Sequence, residues 1–132
     1  MVRGLYDPYE HAAQLGIEVI HRRIRSANGF WYPDHNLIVV RQGMRAVHDR
    51  AALAHDIGHA DLGHTDDQPK HEVQADRYAA LHLVDEERAM ELCRWTQDNA
   101  RIAAELGVSG KMWRVWWNVR RQQSADLGQG VA

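Results

Sequence analysis

The chain has 132 residues, 45% of them apolar and 26% charged, with a formal net charge of −2. That is one domain's length of ordinary globular composition, which excludes wholesale disorder and supplies no global basic field for nucleic acid. The single cysteine, Cys93, rules out an internal disulfide and a cysteine-rich zinc site, and with no apolar run near the ~20 residues of a membrane span and no apolar leader, a cytoplasmic protein is expected.

Asp7-Pro8-Tyr9-Glu10 combines an N-cap, a proline at the first helical position and a Glu placed to close a capping box. Ala13, Ile17, Ile20 and Ile24 keep one apolar face behind it, so the periodicity predicts a first helix to about Ser26, ended by Asn28-Gly29. Phe30-Trp31-Tyr32 and Leu37–Arg41 are β-prone runs around Pro33-Asp34-His35-Asn36 and read as a hairpin. Helices are expected over about Ala46–Ala60 and Lys70–Val84, separated by the loop Asp61–Pro69. Asp85, Thr96 and Ser109 are candidate N-caps for three more helices, with Gly107 as a stop. The fold class is therefore α+β, mainly helical, with a short sheet near the front. A single domain over 1–123 and a disordered tail over 124–132 are expected.

Nine histidines are the unusual feature of the composition. His55 and His59 in His55-Asp56-Ile57-Gly58-His59 stand at i and i+4, one above the other on a helix, where two neutral imidazoles can hold one metal ion. In the next helix Ala75, Ala79 and Leu83 share a wheel sector with Glu72 and Asp76. Carboxylates turned toward a core need a partner or a metal, and the gap from His59 to Glu72 is long enough for a turn back. The economical set is His55, His59 and Glu72 as three ligands of Zn2+, with a fourth position open and Asp76 as an acceptor for the outer N–H of one histidine. His64 is not expected to be a ligand, because the long metzincin pattern would put its third histidine at Thr65. His48 and His71 read as surface histidines. Tyr9, Tyr78 and His71 all remain open as stabilisers of an oxyanion.

Over most of its length the chain resembles the ImmA/IrrE family of metallopeptidases. Ala51–His64, AALAHDIGHADLGH, is similar to the family's LAHELGHxxLGH helix, and Glu72–Val84, EVQADRYAALHLV, to its ExxADxFAAxLL helix with the third ligand. The resemblance implies a zincin-like core, zinc, and cleavage of a protein substrate, often an associated transcriptional repressor of the phage or mobile-element type. One residue departs from the pattern: Asp56 stands where the family has its catalytic Glu. The missing methylene draws the carboxylate back by about 1.5 Å, and misplacement of about 1 Å can cost on the order of 10²-fold in rate.

Two other classes compete. HDIGH also resembles the HD-domain phosphohydrolases, in which Asp56 would itself bind metal with His11 or His21 and with Asp76 or Asp98. Residues 94–123 contain a helix-turn-helix-like stretch, Ile102–Ser109 followed by a Trp-rich helix, and they carry a basic surplus. In that last helix Met112, Val115, Trp116 and Val119 read as core, while Trp113 and Trp117 read as a partly exposed contact patch. The strand Leu37–Arg41 is expected to be a sheet edge able to pair with an extended peptide.

Overall fold

A computed structural model of the chain describes residues 5–129. The order of elements is α1 (Pro8–Gln14), β1 (Glu18–Arg22), β2 (Gly29–Tyr32), β3 (Leu37–Arg41), α2 (Ala46–Asp61), α3 (Pro69–Leu83), α4 (Glu86–Trp95), α5 (Asn99–Leu106) and α6 (Gly110–Gln129). It is an α+β fold, mainly helical, with one three-stranded sheet in the order β1-β3-β2.

The capped start of α1 is as the sequence predicts, since the Asp7 side chain accepts from the Tyr9 N–H at 2.9 Å. Its continuation to Ser26 does not form. Gly16 takes φ 71°, and the N–H groups of Gly16 and Ile17 turn back to the carbonyls of Ala13 and Ala12, a Schellman closure. Ile17 then packs against Ala12 in the core. The β-branched stretch beyond it pairs as β1, parallel to β3, from Glu18↔Leu37 to Arg22↔Arg41.

β2 and β3 form the expected antiparallel hairpin, with Gly29↔Val40 and Tyr32↔Leu37 in register. Asn36, left-handed at φ 49°, completes its turn. Its amide Nδ2 donates to the Gly16 carbonyl at 2.6 Å, tying the turn after α1 to the hairpin. Because β1 occupies one side of β3, Leu37–Arg41 is the central strand and not an edge. The open edges belong to β1 and β2.

α2 lies between two cores. Leu53 and Ile57 pack with Ala12, Ile38 and Val40 on the sheet side, whereas Ala54 joins Ala79, Ile102 and Trp116 on the helical side. Asp85 caps α4 as expected, but Asp98 and not Thr96 caps α5, its carboxylate accepting from the N–H groups of Ala100 and Arg101. Gly107 closes α5 at φ 69°, and the Ser109 hydroxyl accepts from the Met112 N–H at 3.1 Å at the start of α6. Trp113, expected to be partly exposed, is buried because its indole N–H reaches Asn99 Oδ1 at 3.0 Å and its ring stacks on Trp116. Trp117 is partly exposed. α6 continues to Gln129, past the point where a disordered tail is expected, with an i,i+4 bond from Gln122 to Asp126. Residues 130–132 of that tail lie outside the described residues.

Candidate metal centre

The pairing of α2 with α3 brings His55, His59 and Glu72 together. His55 Nε2 and His59 Nε2 face each other at 3.1 Å. Each lies 2.9 Å from a Glu72 carboxylate oxygen, His55 from Oε2 and His59 from Oε1. Tetrahedral metal–donor bonds of ~2.0–2.2 Å set donors roughly 3.3–3.6 Å apart, so these three groups need only a small outward shift to hold one ion. Among the described residues this is the one set of three such side chains whose donor atoms converge.

The outer nitrogens are occupied. His55 Nδ1 meets Asp76 Oδ1 at 2.8 Å, so Asp76 takes the outer N–H of His55 and leaves its Nε2 lone pair toward the site. Lys111 Nζ stands 3.3 Å from the other Asp76 oxygen. His59 Nδ1 meets His64 Nδ1 at 2.9 Å. Burial lowers the proton affinity of both histidines. For His55 the Asp76 hydrogen bond and the carboxylates of Asp56, Asp76 and Glu72 outweigh it, and its pKa is raised. For His59 burial and the neighbouring His55 prevail, and the pKa is lowered.

Glu72 is not sunk in the core as its wheel position suggests; its side chain is 43% exposed and stands at the rim of the site. Asp56 is the buried carboxyl. Its Oδ2 is the one buried side-chain polar atom without a hydrogen-bond partner among the described residues. It lies under Gly29, where a Cβ would come within 2.3 Å of it. Burial pushes its pKa up to about 7, with His55 opposing and Glu72 adding to the shift. Asp56 also lines a cleft beside the three donors.

That cleft, of about 810 Å³, is bounded by β2 on one side and by the start of α6, from Ser109 to Met112, on the other. His48 lines it. His71 instead stacks on His64, with ring centroids 4.1 Å apart. Tyr9 is engaged with His21 and Asp49, and Tyr78 donates to Asp61 at 2.9 Å; neither lines the cleft. The phosphohydrolase set does not assemble. His11 bonds Tyr6, His21 bonds Asp49, Asp98 caps α5, and Asp56 stands outside the converging donors. The start of α6 faces the cleft through Lys111, which pairs with Asp76. Sequence reasoning missed the places of His64 and Gln74, which bond each other beside His59.

Two histidines one turn apart and a carboxylate from the next helix, beside a small sheet, form a donor set that could hold one metal ion. Residues 12–115 match the model of the IrrE N-terminal-like domain, the M78 peptidases, and the chain belongs to that family. The family is one of metallopeptidases and implies a metal, and the donor set fits one. No match is found among curated proteins. No helix among the described residues is long and apolar enough to cross a membrane.

Proposed function

We propose that the chain is a zinc-dependent endopeptidase that cuts a cytoplasmic protein, a transcriptional repressor encoded beside it being the first substrate to test. The observation that carries this reading is the convergence of His55 Nε2, His59 Nε2 and the Glu72 carboxylate while Asp76 and His64 occupy the outer nitrogens. A zinc ion held by these three side chains supplies Lewis-acid chemistry, polarising a scissile carbonyl and acidifying water.

The chain's own residues supply the rest. Asp56, at the bottom of the cleft, takes a proton from the attacking water and returns it to the leaving amine. Its lack of a protein partner is consistent with a water molecule as that partner. β2 is the open sheet edge that borders the cleft through Gly29, Phe30 and Trp31, and it can hold an extended peptide by main-chain hydrogen bonds that are blind to sequence. Choice of substrate then falls to docking away from the cut, with the exposed ring of Trp117 as one contact.

The purified protein is expected to carry about one zinc per chain and to lose it in Glu72→Ala. Incubation with the neighbouring repressor, read by mass spectrometry, is expected to show one discrete cut that Glu72→Ala abolishes. Full zinc content in Glu72→Ala would remove Glu72 from the ligand set. Hydrolysis of nucleotides without any peptide cleavage would favour the phosphohydrolase reading instead.

A further inference from the structure

Three helices of this chain end in the same way. After α1, α2 and α5 a glycine in the left-handed region, Gly16, Gly63 or Gly107, is followed by a residue whose N–H returns to the carbonyl five positions earlier. This closure places the side chain after the glycine against the side chain five residues before it, and the pair is ordinarily apolar. At α1 it is Ile17 on Ala12, and at α5 it is Val108 on Ala103, all four buried. At α2 the same register puts His64 on His59. Both are only 7% exposed, and their Nδ1 atoms are 2.9 Å apart.

Two ring nitrogens at that distance share one proton, and the next residue decides whose it is. His64 Nε2 lies 2.8 Å from Gln74 Oε1, and a carbonyl oxygen can only accept. His64 therefore carries its proton on Nε2 and offers a lone pair at Nδ1. His59 must then donate from Nδ1, which leaves its Nε2 lone pair directed at His55 and Glu72. His71, stacked on His64 and bonded through Nδ1 to Asp66, holds the His64 ring from its face. The opposite polarity, with the Gln74 amide donating, would place a proton on His59 Nε2 and close that nitrogen to any metal.

We infer that His64 and Gln74 are positioning residues, a relay from the start of α3 back to α2 that holds His59 in the one tautomer able to bind a metal. The relay rests on the metal reading proposed above. His55 obtains the same service from a single carboxylate, Asp76, whereas His59 obtains it from a neutral imidazole backed by an amide. His64 is thus part of the site without being a ligand.

Gln74 is exposed, so its replacement leaves the core intact. Zinc affinity, read by competition with a chromogenic chelator, is expected to fall by about 10- to 100-fold in Gln74→Leu. Gln74→Glu, whose carboxylate also only accepts, is expected to restore it, while Val73→Glu, the same charge on a neighbouring exposed position, is expected to leave it unchanged. Long-range nitrogen–proton NMR of the zinc-loaded protein is expected to show the proton of His64 on Nε2 and that of His59 on Nδ1. Wild-type zinc affinity in Gln74→Leu, failure of Gln74→Glu to restore it, or a His64 proton on Nδ1 would overturn the relay and leave the ligand set standing. A wild-type chain that binds no zinc would overturn the ligand set and the relay with it.

Discussion

Gly29→Ala adds one methyl group where β2 passes over Asp56. The new Cβ would stand 2.3 Å from Asp56 Oδ2 and 3.2 Å from the Val39 carbonyl oxygen, whereas ordinary contact begins at 3.4 Å. Val39 sits in the central strand, so the Asp56 carboxyl must give way, by roughly 1 Å, or β2 must lift. Overpacking of this kind costs about 1–3 kcal/mol, a fall in Tm of roughly 3–15 °C for a chain this long. Displacing the proton-carrying group by ~1 Å should also slow proteolysis on the order of 10²-fold, with zinc retained. The decisive measurement needs no substrate. Urea unfolding of the wild type, Gly29→Ala, Asp56→Ala and the double variant forms a cycle in which Asp56→Ala deletes the atom the methyl strikes. A coupling of about 1 kcal/mol or more, with the double variant more stable than additivity predicts, is expected. Penalties that add to within ~0.5 kcal/mol would show that the methyl and the carboxyl never meet.

Asp56→Asn should keep its zinc, because position 56 lies outside the converging donors, and should lose proteolysis; an Asn variant cutting at the wild-type rate would remove Asp56 from the proton path. In chelator-treated protein, Asp56→Ala should be as stable as wild type or more so near neutral pH, since it deletes a buried carboxyl without a partner. Its advantage has a pH signature. The folded pKa, pushed by burial to about 7, exceeds the ordinary 3.8, so both states hold the proton below pH 4 and wild type loses stability as pH rises from there to 7. The stability difference between the two proteins should widen over that window, and a constant difference would contradict it. Removing zinc with a chelator should lower Tm reversibly, in proportion to the logarithm of free metal over Kd, while Glu72→Ala should show no such response.

The site was more legible than the scaffold around it. His55 and His59 announce themselves by the i,i+4 rule, whereas the wheel sector that marks Glu72 and Asp76 points Glu72 at the core and its side chain stands at the rim. The stretch Ala13–Ile24 reads as helix because apolar residues at helical spacing continue past Gly16, yet β-branched residues serve a strand equally well. What decides is the pairing of β1 with β3, a contact between segments that sequence periodicity cannot see, and the same contact turns Leu37–Arg41 from an edge into the centre of the sheet. The burial of Trp113 is hidden from the sequence for a similar reason, since it depends on an Asn99 side chain from another helix. His64 could have been found. Gly63 after a helix signals a left-handed closure, and that closure fixes the following residue against the one five positions back, which is His59.

Leu53 and Ala54 are consecutive, yet they belong to different cores, the first to the sheet side and the second to the helical side. Loss of the sheet strips α2 of Leu53 and Ile57, and loss of the helical layer strips it of Ala54. α2 thus ties the two sides together, beside the stacking of His11 of α1 on Tyr78 and His82 of α3, and should melt when either side lets go. Amides in the middle of α2 should exchange with solvent only through global opening, more slowly than those of β1 or α4. A chain built this way should have no partly unfolded form that keeps its three donors together, so whatever loosens either side should scatter them in one step.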